Sequence, residues 1–141
     1  LVEFYGSACI EPYQEYTFKT CQVSIMRVDE DNVVIPKHFV TDLASIPRPL
    51  WPILAPSRSN IIEPSILHDY LYRCPNALTR REVDEIFYYA LEKNGVSFIQ
   101  SYAMFAAVRL FGGNFFHEGN YCAIIIDVDD RKILEKYLHQ K

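Results

Sequence analysis

Apolar and polar residues alternate over residues 21–28, where Val23, Ile25 and Val28 stand among polar neighbours. The run ends at the turn-forming Asp29-Glu30-Asp31-Asn32, and a short apolar strand, Val33-Val34-Ile35, follows. Together they predict a β-hairpin in a first third that reads as β. From 36 to 60 the periodicity disappears. Pro36, Pro47, Pro49, Pro52 and Pro56 each fix φ and remove a backbone donor, which predicts a rigid irregular loop. Its apolar residues (Phe39, Leu43, Ile46, Leu50, Trp51, Ile53, Leu54) predict that it is packed.

A helical period then takes over. A first helix is expected to start near Pro64, which suits a first turn, and to stop near Cys74-Pro75. A second opens with the capping box Thr79-Arg80-Arg81-Glu82 and closes at Asn94-Gly95. A third, over 97–112, is apolar on most of its circumference, which predicts a central core helix. After Gly112-Gly113 come a loop, a buried strand over 121–126, and a short amphipathic helix capped by Asp129 or Asp130 and ending near His139. The expected fold class is α+β: a small antiparallel sheet packed against a bundle of three core helices plus a C-terminal helix. One domain is expected over 1–141, β-rich to 40, a proline-rich loop over 41–62, helical over 63–112, then strand and helix.

Composition narrows the function. A chain of 141 residues that is 50% hydrophobic can build a real core. Its net charge of -4, with neither sign in a block, leaves no basic footprint for nucleic acid. No apolar run approaches the ~20 residues of a transmembrane segment. Residues 1–7 lack signal-peptide features; they also lack an initiator Met, so a trimmed leader and a secreted form stay open. Cys9, Cys21, Cys74 and Cys122 form no C-x-x-C pair, which argues against zinc and redox motifs. The expectation is reduced thiols in a cytosolic setting, with two disulfides as the open alternative.

The candidate chemistry lies on the first two helices. His68 and Tyr72, four apart, share a face with Leu67 and Leu71, and Asp84 shares one with Phe87, Tyr88 and Leu91. The short connection 74–78 predicts antiparallel neighbours, which brings Asp84 against His68 and Tyr72. A carboxylate on one imidazole nitrogen would leave the other free as a base. The bland reading is a satisfied polar cluster inside a helix pair, and spacing alone favours it. Asp69 points to one side, where it can bind a hard cation, weakly, or cap the proline loop; Asp42 can join it as a ligand or simply tie down a turn. Ser45 lacks a nucleophile elbow, and Arg48 can hold an anion or pair with Asp42 or Asp69. His38, His117 and His139 read as surface or loop histidines.

Three segments carry a resemblance. They are 34–48, containing Thr41-Asp42-Leu43-Ala44-Ser45-Ile46-Pro47-Arg48; Leu67-His68-Asp69-Tyr70-Leu71-Tyr72-Arg73; and 81–87 with Ala107-Val108-Arg109-Leu110-Phe111-Gly112 behind it. Together they resemble an uncharacterised family of small phage, prophage and bacterial proteins, over roughly 33–112. The resemblance implies a phage origin and a place in the host cytoplasm or the phage particle. A weaker one concerns chemistry. His68-Asp69-x-x-Tyr72 followed by Asp84 on a second helix is similar to the catalytic helix pair of secreted calcium-dependent phospholipases. It implies His68 as base, Asp69 as calcium ligand, and Asp84 and Tyr72 as orienters. The glycine-rich calcium loop and the dense disulfides of that family are missing here. The leading expectation is a phage-derived virion component or accessory factor that binds a phage or host protein. The alternative is a hydrolase with His68 as general base, with lipid contact possible through an ester substrate.

Overall fold

The computed structural model describes residues 2–5, 8–15, 17–29, 31–44, 48–50, 52, 59–118 and 124–127. The expected C-terminal helix, His139, Cys122 and Ser45 lie outside these residues, as does the side chain of Arg48. Among the described residues, seven strands and three α-helices occur in the order β1 (Val2–Tyr5), β2 (Ile10–Pro12), β3 (Phe18–Thr20), β4 (Ser24–Val28), β5 (Asp31–Ile35), β6 (Val40–Thr41), α1 (Ser59–Arg73), α2 (Arg80–Lys93), α3 (Phe98–Phe111) and β7 (Ile124–Asp127). The class is α+β, with antiparallel pairing throughout, but the strands form two sheets where one was expected. The larger has the order β1-β4-β5-β7 and the smaller β2-β3-β6.

The predicted hairpin is β4–β5, with Val28 opposite Asp31, so that two residues turn the chain. Asp29 sits there at φ 55, a left-handed conformation that Asp tolerates better than most residues. Ser24, Ile25 and Met26 of β4 and Asn32 to Ile35 of β5 are all buried, so the hairpin is covered on both faces rather than one.

The small sheet is built around Thr20. Its amide donates to Phe39 O and its carbonyl accepts from His38 N, each at 2.9 Å. Its hydroxyl donates to Pro36 O at 2.8 Å and accepts from Phe39 N at 2.9 Å. These bonds satisfy the backbone of the turn after β5, where His38 lies at φ 67, and deliver β6 to the helices. A Cys9–Cys21 disulfide bridges the ends of β2 and β3, and Cys74 is disulfide-bonded too. The expectation of reduced thiols is therefore overturned: none of the described cysteines is a free thiol. The even scatter of cysteines fitted both outcomes, because pairing depends on strand register that spacing does not reveal.

The helix pair forms as the capping box and short link predict. Thr79 Oγ1 accepts from Glu82 N, and Glu82 Oε1 accepts from Thr79 N. The start of α2 lies against the end of α1 through Arg80 and Tyr72, and its C-cap Asn94 meets Asn60 at the start of α1, so the two run antiparallel. α1 begins five residues before Pro64, contrary to expectation. A proline inside a helix deprives the carbonyl four residues back of its donor. Here that carbonyl is Asn60 O, and Asn94 Nδ2 fills the gap at 2.9 Å.

The other correction concerns which helix is central. α1 is buried at every residue from Pro64 to Tyr72. It is walled by Val2, Met26, Val33 and Ile35 of the large sheet and by Val83 and Ala90 of α2. α3, the most apolar helix, buries only Ser101, Met104, Ala107 and Val108. Phe98, Ile99, Tyr102 and Leu110 on its outer side are 65%, 80%, 59% and 76% exposed. The polar residues of α1 disguised a core helix. Burying them requires that each find a partner.

Candidate functional site

Most of those partners converge on Asp84, whose side chain is fully buried on α2. Its Oδ1 accepts from Tyr72 OH at 2.7 Å and stands 2.8 Å from His68 Nε2. Its Oδ2 accepts from Arg109 Nη1 of α3 at 2.8 Å. Arg80, one turn before Asp84, donates from Nε to Tyr72 OH at 3.1 Å and from Nη2 to the carbonyls of Val108 and Arg109 at 2.7 and 2.8 Å. Those two carbonyls belong to the last turn of α3, where Val108 O also accepts from Gly112 N, so one guanidinium closes a helix end and braces the site. Tyr72 reaches this position because residue 112 is glycine. A Cβ there would stand 2.9 Å from Tyr72 OH and 2.6 Å from Val108 O.

The second carboxylate, Asp69, faces the other way, toward the loop. Its Oδ2 accepts from Asp42 N at 3.0 Å and from Thr41 Oγ1, and Thr41 Oγ1 in turn accepts from Leu43 N at 3.1 Å. The chain then passes through two buried left-handed residues, Leu43 at φ 60 and Ala44 at φ 72. Neither is glycine, and each such conformation costs about 1–2 kcal/mol. Adjacent strained residues beside a polar cluster mark a segment that its surroundings force into place.

His68 lies between the carboxylates and is 1% exposed. Its Nδ1 is 3.9 Å from Asp69 Oδ1, too far for a hydrogen bond, and has no hydrogen-bond partner among the described residues. The rings of Tyr72 and Phe87 pack against it, with centroids at 4.1 and 4.7 Å. Burial pushes its pKa down, but attraction to Asp69 and Asp84 outweighs burial and holds it above the ordinary 6.5. Burial pushes both aspartates up. His68 and the donors from Thr41 and Asp42 nonetheless hold Asp69 below its ordinary value; His68, Tyr72 and Arg109 do the same for Asp84. Burial, then Asp84, raises the Tyr72 phenol, which stays a neutral donor.

A cleft of about 200 Å³ opens beside this cluster, lined by Asp42, Asp69, Tyr72, Arg73, Phe115 and His117. His117, expected as a surface or loop histidine, is an exposed loop residue at the rim of this cleft, and its backbone N–H donates to Tyr72 O at 2.8 Å. Asp42 and Asp69 face one cleft, yet they make a poor calcium cage. Asp69 Oδ2 is committed to two donors, and no group of three His, Cys, Asp or Glu among the described residues is arranged to hold a metal. Calcium takes about six to eight oxygens.

The structure thus brings His68, Tyr72 and Asp84 within hydrogen-bond distance and Asp69 and Asp42 to an adjoining cleft. Sequence reasoning missed Arg80, Arg109, Thr41 and Gly112. Arg80 had a signal in its four-residue spacing to Asp84; Arg109, a helix away, stood only within the third resembling segment, which gave it no role.

A family model described as "Protein of unknown function (DUF1353)" matches residues 20–108. The chain belongs to the DUF1353 family. The match spans the loop of Thr41 and Asp42 and all of α1 and α2, so the site of this DUF1353 chain lies inside it, apart from Arg109, Gly112, Phe115 and His117. A 79-residue stretch is 32% identical to "Uncharacterized protein y4jT" of Sinorhizobium fredii (strain NBRC 101917 / NGR234); it covers 55% of this chain and 23% of that protein. This DUF1353 chain therefore matches about a quarter of that relative's length. No solved structure matches it.

Proposed function

We propose that His68 and Asp84 form the water-activating pair of a hydrolase acting on an ester, with the Asp69–Tyr72 cleft receiving the substrate. The observation that carries this reading is the asymmetry of the His68 ring. Nε2 is fixed by Asp84 at 2.8 Å, while the buried Nδ1 has no partner among the described residues. A structural histidine in a dry core normally satisfies both nitrogens. With Asp84 ionised, Nε2 keeps its proton and Nδ1 holds the lone pair that can take a proton from water. Tyr72 and Arg109 hold Asp84 in place. Asp69 and Tyr72, not His68, line the cleft, so access to Nδ1 requires the Asp69 carboxylate to leave Thr41 and Asp42. Relaxation of the strained Leu43–Ala44 turn would accompany that movement.

The test is turnover of short- and long-chain esters by the wild-type chain and by His68→Gln, each with a melting curve. The expected result is a folded His68→Gln protein without activity, and a wild-type rate that rises with pH above 6.5 as the imidazole loses its proton. A wild type inert on every ester, with a variant that only melts earlier, would leave the cluster as a structural hub.

A second reading is that the chain is a phage-derived virion component or accessory factor that binds a partner protein. The outer face of α3 favours it, since Phe98, Ile99 and Leu110 remain uncovered by the described residues. The phage origin rests on the motif resemblance. Proteomics of purified particles separates a virion component, which would be present, from an accessory factor, which would not.

A further inference from the structure

On the side of the helices that carries the outer face of α3, a groove of about 390 Å³ runs between α2 and α3. Five aromatic rings line it: Tyr88 and Tyr89 from α2, and Phe98, Tyr102 and Phe105 from α3. Arg81 and Glu85 complete the lining. The rings form a connected set, with neighbouring centroids 5.6 Å (Tyr88–Tyr89), 6.0 Å (Tyr88–Phe105), 6.3 Å (Tyr102–Phe105) and 6.4 Å (Phe98–Tyr102) apart. Their planes are inclined by 75°, 73°, 44° and 27° in the same order, so they stand as walls of differing orientation rather than as one flat stack.

The charge around the rings is selective. Arg81 is engaged by Glu85 at 3.0 Å, and a second carboxylate, Glu92, lies against the Tyr88 hydroxyl. Aromatic faces carry negative potential, and carboxylates at the rim add to it. A nucleic-acid base would stack on such rings, but its phosphates need a basic track that a chain of net charge -4 does not supply. A lysine ammonium is strongly hydrated and loses most of its attraction on entering. A methylated ammonium is large, weakly hydrated and fully charged, which suits inclined rings of this kind.

We propose that the groove between α2 and α3 binds a quaternary ammonium group, of the kind carried by choline, against Tyr88, Tyr89, Phe98, Tyr102 and Phe105. The site uses none of the residues around His68, so it stands or falls independently of the hydrolase reading.

The probes are choline and its neutral isostere 3,3-dimethylbutan-1-ol, titrated calorimetrically into the whole chain. The expected result is saturable choline binding, with the neutral analogue weaker by about tenfold, the scale of cation–π attraction to desolvated rings. Tyr102 is exposed, so Tyr102→Ala should keep the melting temperature while weakening choline by a similar factor. Tyr102→Phe, which restores the ring, should restore binding. Equal affinity for the two probes, no saturation with choline, or an unaltered Tyr102→Ala would overturn the proposal; the first would make the groove a plain apolar pocket for a partner's side chain. Vesicles then identify the source. Sedimentation with phosphatidylcholine but not phosphatidylglycerol assigns a lipid headgroup. Sedimentation with neither, while choline still binds, assigns a soluble ligand. Equal sedimentation with both, abolished by Tyr102→Ala, marks insertion of apolar side chains into a bilayer and counts against the proposal.

Discussion

Asp84 is the residue on which the site depends, because a fully buried carboxylate is tolerable only while its donors are in place. Asp84→Asn keeps the shape but turns an amide toward Arg109 and removes the charge that balances His68. The expected loss is about 3 kcal/mol, the scale for breaking a buried pair, read by denaturant unfolding. A loss below about 1 kcal/mol would mean that water already shares the load. The same residues set the pH dependence. His68 is raised above 6.5 in the folded chain, so its contribution is complete below 6.5 and fades as pH rises through the folded value. Asp69 and Asp84 are lowered from 3.8, so theirs is complete above 3.8 and fades as pH falls through their folded values. Stability should therefore peak between 3.8 and 6.5 and decline on both sides, and His68→Gln should abolish the alkaline decline and also soften the acid one, because His68 helps to hold both aspartates below 3.8. A wild-type stability that keeps climbing above pH 6.5 would contradict the raised imidazole.

At the scale of elements, legibility follows how local the determining interactions are. The hairpin at Asp29, the α2 capping box and the pairing of His68 with Asp84 rest on spacings of a few residues or on one short link, and each is written in the sequence. The start of α1 is not, because Pro64 is tolerated only through Asn94, thirty residues away. Nor is the exchange of roles between α1 and α3. His68 and Asp69 are polar positions within α1, and their partners on α2, on β6 and at Asp42 allow that helix to be buried. Two substitutions test this. Asn94→Ala strands Asn60 O and should cost about 1 kcal/mol, more than an exposed cap alone explains. Ala44→Gly is a contest between effects. Relief of the left-handed strain gains about 1–2 kcal/mol, while the lost buried methyl and added chain entropy cost about as much together. The expected change is within about 1 kcal/mol of zero, whereas Ala44→Val, β-branched at φ 72, should destabilise severely.

For the whole molecule, the disulfides change how the two sheets are held. The strands of the small sheet are two or three residues long, too short to stand alone. Yet this sheet positions Thr41 and Asp42 against Asp69. The Cys9–Cys21 bond fastens β2 to β3, and Thr20, the residue before Cys21, anchors the turn that leads into β6. Closing a loop of this length, with a separation of 12, stabilises by about 3 kcal/mol in the chain-entropy account. Replacing both cysteines, Cys9→Ser with Cys21→Ser, should lower the melting temperature. It should also loosen the loop at Thr41 before it affects α2, because the helices are joined by separate contacts. Hydrogen exchange distinguishes the two regions. The amides of Asp42 and Leu43, which donate to Asp69 and Thr41, should exchange faster in the double variant, while those in the middle of α2 keep their protection. Uniform loss of protection would show one cooperative unit, with the small sheet as integral to the core as α1. No change at Asp42 and Leu43 would show that Asp69 holds the loop unaided, leaving the disulfide with no part in shaping the site.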